Sequence, residues 1–186
     1  MKLESGNNGS IITFKGITPK IDPSCFICEG VKIIGDVEIG KDTSIWYNTV
    51  IRGDVHYIKI GSNCNIQDIS MLHVTHDTCP LNMGNEVSVG HSVTLHGCTI
   101  RYRALIGIGA RVLDGAVIGE SALVAAGAVI REGFEVPPRT LAAGVPARII
   151  RDLKAEEIER VESTAENYAG YVQDYRNLLN DKGVEI

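Results

Sequence analysis

The chain has 186 residues, 44% of them hydrophobic and 22% charged, with a formal net charge of −5 at pH 7. That balance excludes a disordered chain, and with no concentration of Lys and Arg it argues against nucleic acid or an anionic membrane surface as partner. No apolar run approaches the roughly 18 residues of a membrane span, and the polar start from Met1 to Ser10 lacks a signal-peptide pattern, so a cytoplasmic protein is expected. Counting gives 23 Ile, 17 Val and 20 Gly against 3 Phe and 1 Trp, which implies a core of small, β-branched units. The five cysteines (Cys25, Cys28, Cys64, Cys79, Cys98) are odd in number and widely spread, as free thiols in a reducing compartment would be. Cys25 and Cys28 have no second C-x-x-C pair with which to form a zinc ribbon.

After a polar lead-in over residues 1–20, aliphatic residues recur six apart at Ile21, Ile27, Ile33, Ile39, Ile45 and Ile51, then at Ile60, Ile66 and Leu72. The phase jumps by three residues between Ile51 and Ile60, which places a small loop at Asp54 to Tyr57. After a second interruption the series resumes as Val89 and Leu95, slips by one, and continues as Ile100, Ile106, Val112, Ile118, Val124 and Ile130, making 17 hexads. Four residues after each first position stands a small or β-branched residue, early on Cys25, Val31, Val37, Thr43, Thr49 and Val55, later Ala104, Ala110, Ala116, Ala122 and Ala128. Neither a 3.6-residue nor a 2-residue period yields this spacing. A β-solenoid does, each hexad forming a short strand and a corner and three hexads closing a triangular coil, so five to six coils are expected over residues 21–150. Gly40, Gly61, Gly90, Gly107 and Gly119 follow first positions, where a left-handed backbone at the corner would explain them.

Pro137, Pro138 and Pro146 mark the end of the repeat. Over residues 151–186 the apolar residues Ile158, Val161, Ala165, Tyr168, Val172, Tyr175 and Leu179 alternate steps of three and four, which predicts one amphipathic helix of about seven turns. It can lie along a solenoid face or against another subunit.

Three of the five histidines stand where a metal site could form. His73 follows the first position of its hexad, and His91 and His96 lie five apart. The 18 residues from His73 to His91 make one average coil, which puts these two near one edge on neighbouring levels, with His96 further round. Three imidazoles with a fourth position open suit a catalytic zinc site. His91 and His96 project from different faces, however, and a site shared between subunits of a symmetric oligomer would reunite them.

Ile51-Arg52-Gly53-Asp54, Asn65-Ile66-Gln67-Asp68, Leu72-His73, Gly90-His91, His96-Gly97 and the closing run from Val136 to Arg148 together resemble the γ-class carbonic anhydrase family, over roughly residues 10 to 180. The resemblance implies an all-β solenoid, a left-handed parallel β-helix of hexapeptide repeats with a C-terminal α-helix. It further implies a homotrimer with metal sites at subunit interfaces, His73 and His96 coming from one subunit and His91 from its neighbour. The activity implied is reversible hydration of CO2 to bicarbonate, a lyase reaction using Zn²⁺, with Fe²⁺ or Co²⁺ as substitutes, to acidify a water. Gln67 resembles the family glutamine beside the metal-held oxygen. Arg52 and Asp68, with Asp54 beside them, resemble the pair that lines the site and links subunits, and Tyr168 matches a family tyrosine near the site as well as the packing stripe of the helix.

Two positions depart from the family pattern. Val55 stands where an acidic loop carries a glutamate, and His76 stands where a second glutamate shuttles protons; imidazole titrates near neutrality and can relay a proton itself. His56 is expected to be solvated. Two other functions use the same solenoid: a CoA-dependent acyltransferase, which needs one histidine as general base, and a metal-holding or assembly subunit without turnover, which the missing glutamates favour.

Overall fold

The computed structural model describes residues 9–181, with side chains through residue 178, and is a parallel β-solenoid closed by one helix. Residues 1–8 of the expected lead-in, and the side chain of Leu179 on the expected stripe, lie outside the described set. Each coil has three short strands, and corresponding strands stack in register on three faces. The first face is lined inward by Ile27, Ile45, Ile66, Val89, Ile106, Val124 and Ala142. Ile11, Ile33, Ile51, Leu72, Leu95, Val112 and Ile130 line the second. Ile21, Ile39, Ile60, Met83, Ile100, Ile118 and Val136 line the third. The prism therefore has seven levels, where the hexad count gives five to six.

The difference has local causes. Ser10–Ile12 already pairs with the second face, so the repeat starts before residue 21. Leu81–Met83 is a third-face strand whose phase is hidden by the excursion over residues 74–80. At the other end Thr140–Gly144 adds a seventh strand to the first face, and Ala147–Asp152 turns back antiparallel to cover that edge. Val55, expected inward, is only half-buried. The three-residue insertion hands its corner to Ile58, which is fully buried opposite Val37.

Glycine plays two separate parts. Gly40, Gly61, Gly90, Gly107 and Gly119 are not in the left-handed region. Their reason is stacking: a Cβ on Gly107 would come within 2.6 Å of the Ala126 amide nitrogen on the next level. Left-handed backbone occurs three residues past the inward positions instead, at Gly30, Asn48, Ile69, Ser92, Gly109 and Gly127 where the chain turns onto the second face, and at Asp42, Asn63, Glu86, Arg103, Ser121 and Arg139 where it leaves the third.

The helix Ala155–Asp181 lies on the outside of the first face and runs against the direction of coil growth. Ser121 donates to Glu162 at 2.8 Å near one end, and Arg176 donates to the Ser24 carbonyl at 2.7 Å near the other. Fourteen helical residues span about 21 Å, close to the ~24 Å of the five levels between those anchors. Aromatic residues cluster in this seam. Trp46 packs edge-on against Tyr168 (5.6 Å between centroids) and Tyr175 (5.2 Å), and Phe26 joins both Trp46 and Tyr175.

Candidate metal centre

Residues that bear chemistry fall into two rows on opposite edges of the second face. One residue past the inward position, Arg52, His73 and His96 follow the paired Ile51, Leu72 and Leu95, so they stack on three consecutive levels. Two residues past the first-face position, Asp68 and His91 stack at the other edge, the Asp68 carbonyl accepting from the Ser92 amide. His73 does not stand beside His91, as the 18-residue spacing predicts, but beside His96. The coil between His73 and His96 is 23 residues long because it holds the excursion, and it is these two whose Cα positions pair.

In the first row, His73 Nδ1 and His96 Nε2 face each other at 3.1 Å. The other nitrogen of His73 lies 3.1 Å from Asp54 Oδ1, and the other nitrogen of His96 meets Asp114 Oδ1. A carboxylate accepts from a ring N–H, so these contacts place the proton of His73 on Nε2 and that of His96 on Nδ1. The two facing nitrogens are then both lone pairs whenever the rings are neutral. Burial, opposed by the Asp54 bond and aided by the Arg52 charge, pushes His73 below the usual imidazole range toward that neutral form. Two lone pairs at this distance call for a shared cation. Nitrogens bound to one Zn²⁺ at about 2.05 Å with a tetrahedral angle lie about 3.3 Å apart, so the pair fits a divalent metal. Arg52 donates to Asp54 at 2.5 Å, and although partial burial works the other way, the bonds from Arg52 and His73 hold Asp54 below the ordinary carboxylate range.

In the second row, His91 Nδ1 lies 2.7 Å from Asp68 Oδ2. Each of the three imidazoles thus keeps one nitrogen on an aspartate, the arrangement that orients histidine ligands of metals. Gln67 is buried beside Asp68, its amide donating to Asn65 at 3.1 Å while Asn65 donates to Ser88 at 2.7 Å. Tyr168 stands in the same neighbourhood: burial first, then the Asp68 charge, pushes its phenol up from the usual range. It packs edge-on against Trp46, the role that the helix stripe predicts for it. Among the described residues of one chain no three His, Cys, Asp or Glu side chains converge as a ligand set. The two rows stand apart, on opposite edges of one face.

Over 172 residues the chain is 46% identical to a protein named carbonic anhydrase from Geobacillus kaustophilus, covering 92% of this chain and 94% of that one. This chain belongs to the hexapeptide-repeat family of the γ-class carbonic anhydrases. YrdA of Escherichia coli K12, a relative in that family, is 43% identical with 90% of this chain and 94% of its own length covered. A mitochondrial γ carbonic anhydrase of Arabidopsis thaliana is 41% identical over 83% of the chain, which spans 58% of the length of that plant relative. Residues 18–53 match the bacterial transferase hexapeptide (six repeats). A solved Bacillus cereus structure, named as a proposed acetyltransferase, shares 45% identity at a TM-score of 0.89, covering 92% of this chain and 99% of that one.

The γ-class motifs account for Arg52, Gln67, Asp68, His73, His91 and His96, and the structure adds Asp114 and Thr75, which sequence reasoning missed. Both lie outside the quoted motifs. Asp114 falls two residues past the inward Val112 and is joined to His96 only across levels. His76 is not brought into the first row. It sits on the excursion, largely exposed and paired with Asp77 at 3.1 Å.

Proposed function

We propose that this protein is a trimeric, metal-dependent carbonic anhydrase that interconverts CO2 and bicarbonate at three sites, each completed by two subunits. The observation that carries this reading is the pair of converging lone pairs on His73 and His96, set on the edge opposite His91. A neighbour related by three-fold symmetry would bring its His91 to the pair, giving three imidazoles and an open position. The exposed apolar side chains Ile69, Met71 and Ile108, beside the His91 row, support an interface there. Relatives named carbonic anhydrase support the reaction.

A divalent metal such as Zn²⁺, when bound, supplies acidity, bringing a coordinated water to titrate near neutrality. The protein's own groups do the rest. Asp54, Asp68 and Asp114 fix the three rings and keep their outer nitrogens protonated. Burial, aided by the Arg52 charge and against the pull of Asp54, favours the neutral form of His73 that a ligand requires. Gln67, anchored through Asn65 to Ser88, presents a preset amide to substrate oxygen beside His91. His76, solvent-exposed on the loop that follows His73, takes the released proton to bulk water in place of a glutamate.

The test is metal content coupled to a hydration assay. Protein loaded with Zn²⁺ is expected to hold one metal per subunit and to hydrate CO2 well above a His91→Ala variant; equal rates refute the reading. The name of the Bacillus cereus relative favours a second reading, a CoA-dependent acyltransferase. Acetyl-CoA binding by calorimetry, with no loss on chelation of metal, would favour it. One metal per subunit with background hydration would instead indicate a metal-holding subunit without turnover.

A further inference from the structure

Asp114 lies one level above His96, on the strand row that continues the second face, and its two oxygens are both used. Oδ1 meets His96 Nδ1, and Oδ2 meets the Thr75 hydroxyl. Thr75 belongs to the excursion after His73 and is pinned there by bonds with Cys79, its amide donating to the Cys79 carbonyl at 3.2 Å. The space for the carboxylate is kept open by Gly97. A Cβ at that position would lie 2.6 Å from Asp114 Oδ1 and 2.7 Å from the Cys79 side chain. Three separate chain segments therefore meet around one carboxylate, 18 residues along the chain from the histidine it touches.

We propose that Asp114, clamped by Thr75 in the gap left by Gly97, is a positioning residue that sets the tautomer and ring angle of His96 and thereby the metal affinity of the site. The inference rests on the metal reading above and goes beyond it by assigning a residue to its support. An imidazole free to choose would divide its proton between Nδ1 and Nε2 and rotate about its χ angles. Held at Nδ1 by an acceptor that is itself held, His96 offers only Nε2, the atom that faces His73 Nδ1 at 3.1 Å. Partners of this kind typically set metal affinity by 10–100-fold. The clamp also ties the loop that carries His76 to the ligand, so loosening Thr75 loosens both.

The experiment uses the full-length protein in its oligomeric state, stripped of metal by chelation. Titration with Co²⁺, followed by visible absorption, and with Zn²⁺ against a chromophoric chelator gives the affinities. Asp114→Ala is expected to bind both metals about 10–100-fold more weakly, with a changed Co²⁺ spectrum. Asp114→Asn keeps an acceptor for the ring and a donor for Thr75, so it should recover the spectrum and most of the affinity. Thr75→Val should show a smaller loss, reversed by Thr75→Ser. ¹⁵N NMR of the metal-free protein should find His96 protonated on Nδ1 in the parent and on a mixture of both nitrogens in Asp114→Ala. Should Asp114→Ala fail to fold, the Thr75 pair carries the test. If the parent binds metal and Asp114→Ala and Thr75→Val match it in affinity and spectrum, this inference is overturned while the metal reading stands. If the parent takes up neither metal, the metal reading itself falls.

Discussion

His96 stands directly over His73, their Cα positions paired across adjacent strands and their ring nitrogens 3.1 Å apart, while His91 is held by Asp68 at the opposite edge of the same face. On the proposed trimeric reading that division makes the complete site a property of the oligomer, which can be tested without a structure of the assembly. Co-expression of His73→Ala with His91→Ala subunits in equal amounts should restore about one quarter of the sites, since each needs an intact His73 from one subunit and an intact His91 from the next. Each variant alone should show background hydration. No recovery in the mixture would mean that sites lie within single chains.

Ile108 projects from the His91 row, 57% exposed and one level above that histidine, outside the set of residues given a chemical role. If this edge forms the proposed subunit seam, a charge placed there is costly. Ile108→Asp is expected to shift the protein from trimer to monomer by light scattering and to lower bound metal, with secondary structure by circular dichroism unchanged. A variant that remains trimeric would remove this edge from the interface.

The two uses of glycine predict different costs. Gly107→Ala drives a Cβ into backbone of the next level at 2.6 Å, whereas Gly127 has φ +69 with open space around its Cβ position. The first substitution overpacks a rigid stack, about 3 kcal/mol, and the second strains one residue, about 1 kcal/mol. Melting temperatures at a single protein concentration should rank Gly127→Ala above Gly107→Ala; the reverse order would refute the stacking argument.

Burial pushes the Cys25 thiol up to about 11 and those of Cys28, Cys64 and Cys98 up to about 12. At pH 8 these four are almost wholly protonated and enclosed, while Cys79 is partly accessible. Native protein is expected to react with an aromatic disulfide reagent first at Cys79, with the other four reacting only on unfolding. Mass mapping of a partly labelled sample decides it.

Arg151 donates to Glu157 through both terminal guanidinium nitrogens, at 2.7 and 2.9 Å, and the Lys154 amide donates to the same carboxylate. The Arg151 bonds first, then the Lys154 amide, lower Glu157 from 4.5 to about 2. Because the folded value is the depressed one, its contribution is complete above pH 4.5 and is lost as pH falls through about 2. The melting-temperature gap between the parent and Glu157→Gln should therefore narrow between those values. A gap constant over that window would dissociate the ion pair from the seating of the helix start.

How much of this was legible beforehand follows from what a repeat can and cannot encode. A short strand and a corner consume six residues, so the inward positions declare themselves, and the same argument keeps rings out of the narrow interior. Where the rings go instead, onto the first face beneath the helix, depends on how Trp46, Tyr168 and Tyr175 meet across more than a hundred residues, and no period carries that. Met83 was hidden because the excursion before it breaks the phase, and the role of Gly61 and its kin because a clash with the next level has no local signature.

The sequence alone determines the solenoid and the helix and singles out three candidate imidazoles, because strand period, amphipathic stripe and ligand chemistry are properties of residues and their spacing. Only the tertiary structure decides which imidazoles meet. Stacking depends on the summed length of everything between two positions, and 23 residues rather than 18 close this coil, so His73 finds His96 overhead, Asp114 closes over His96, and His91 is left at the other edge, paired with Asp68.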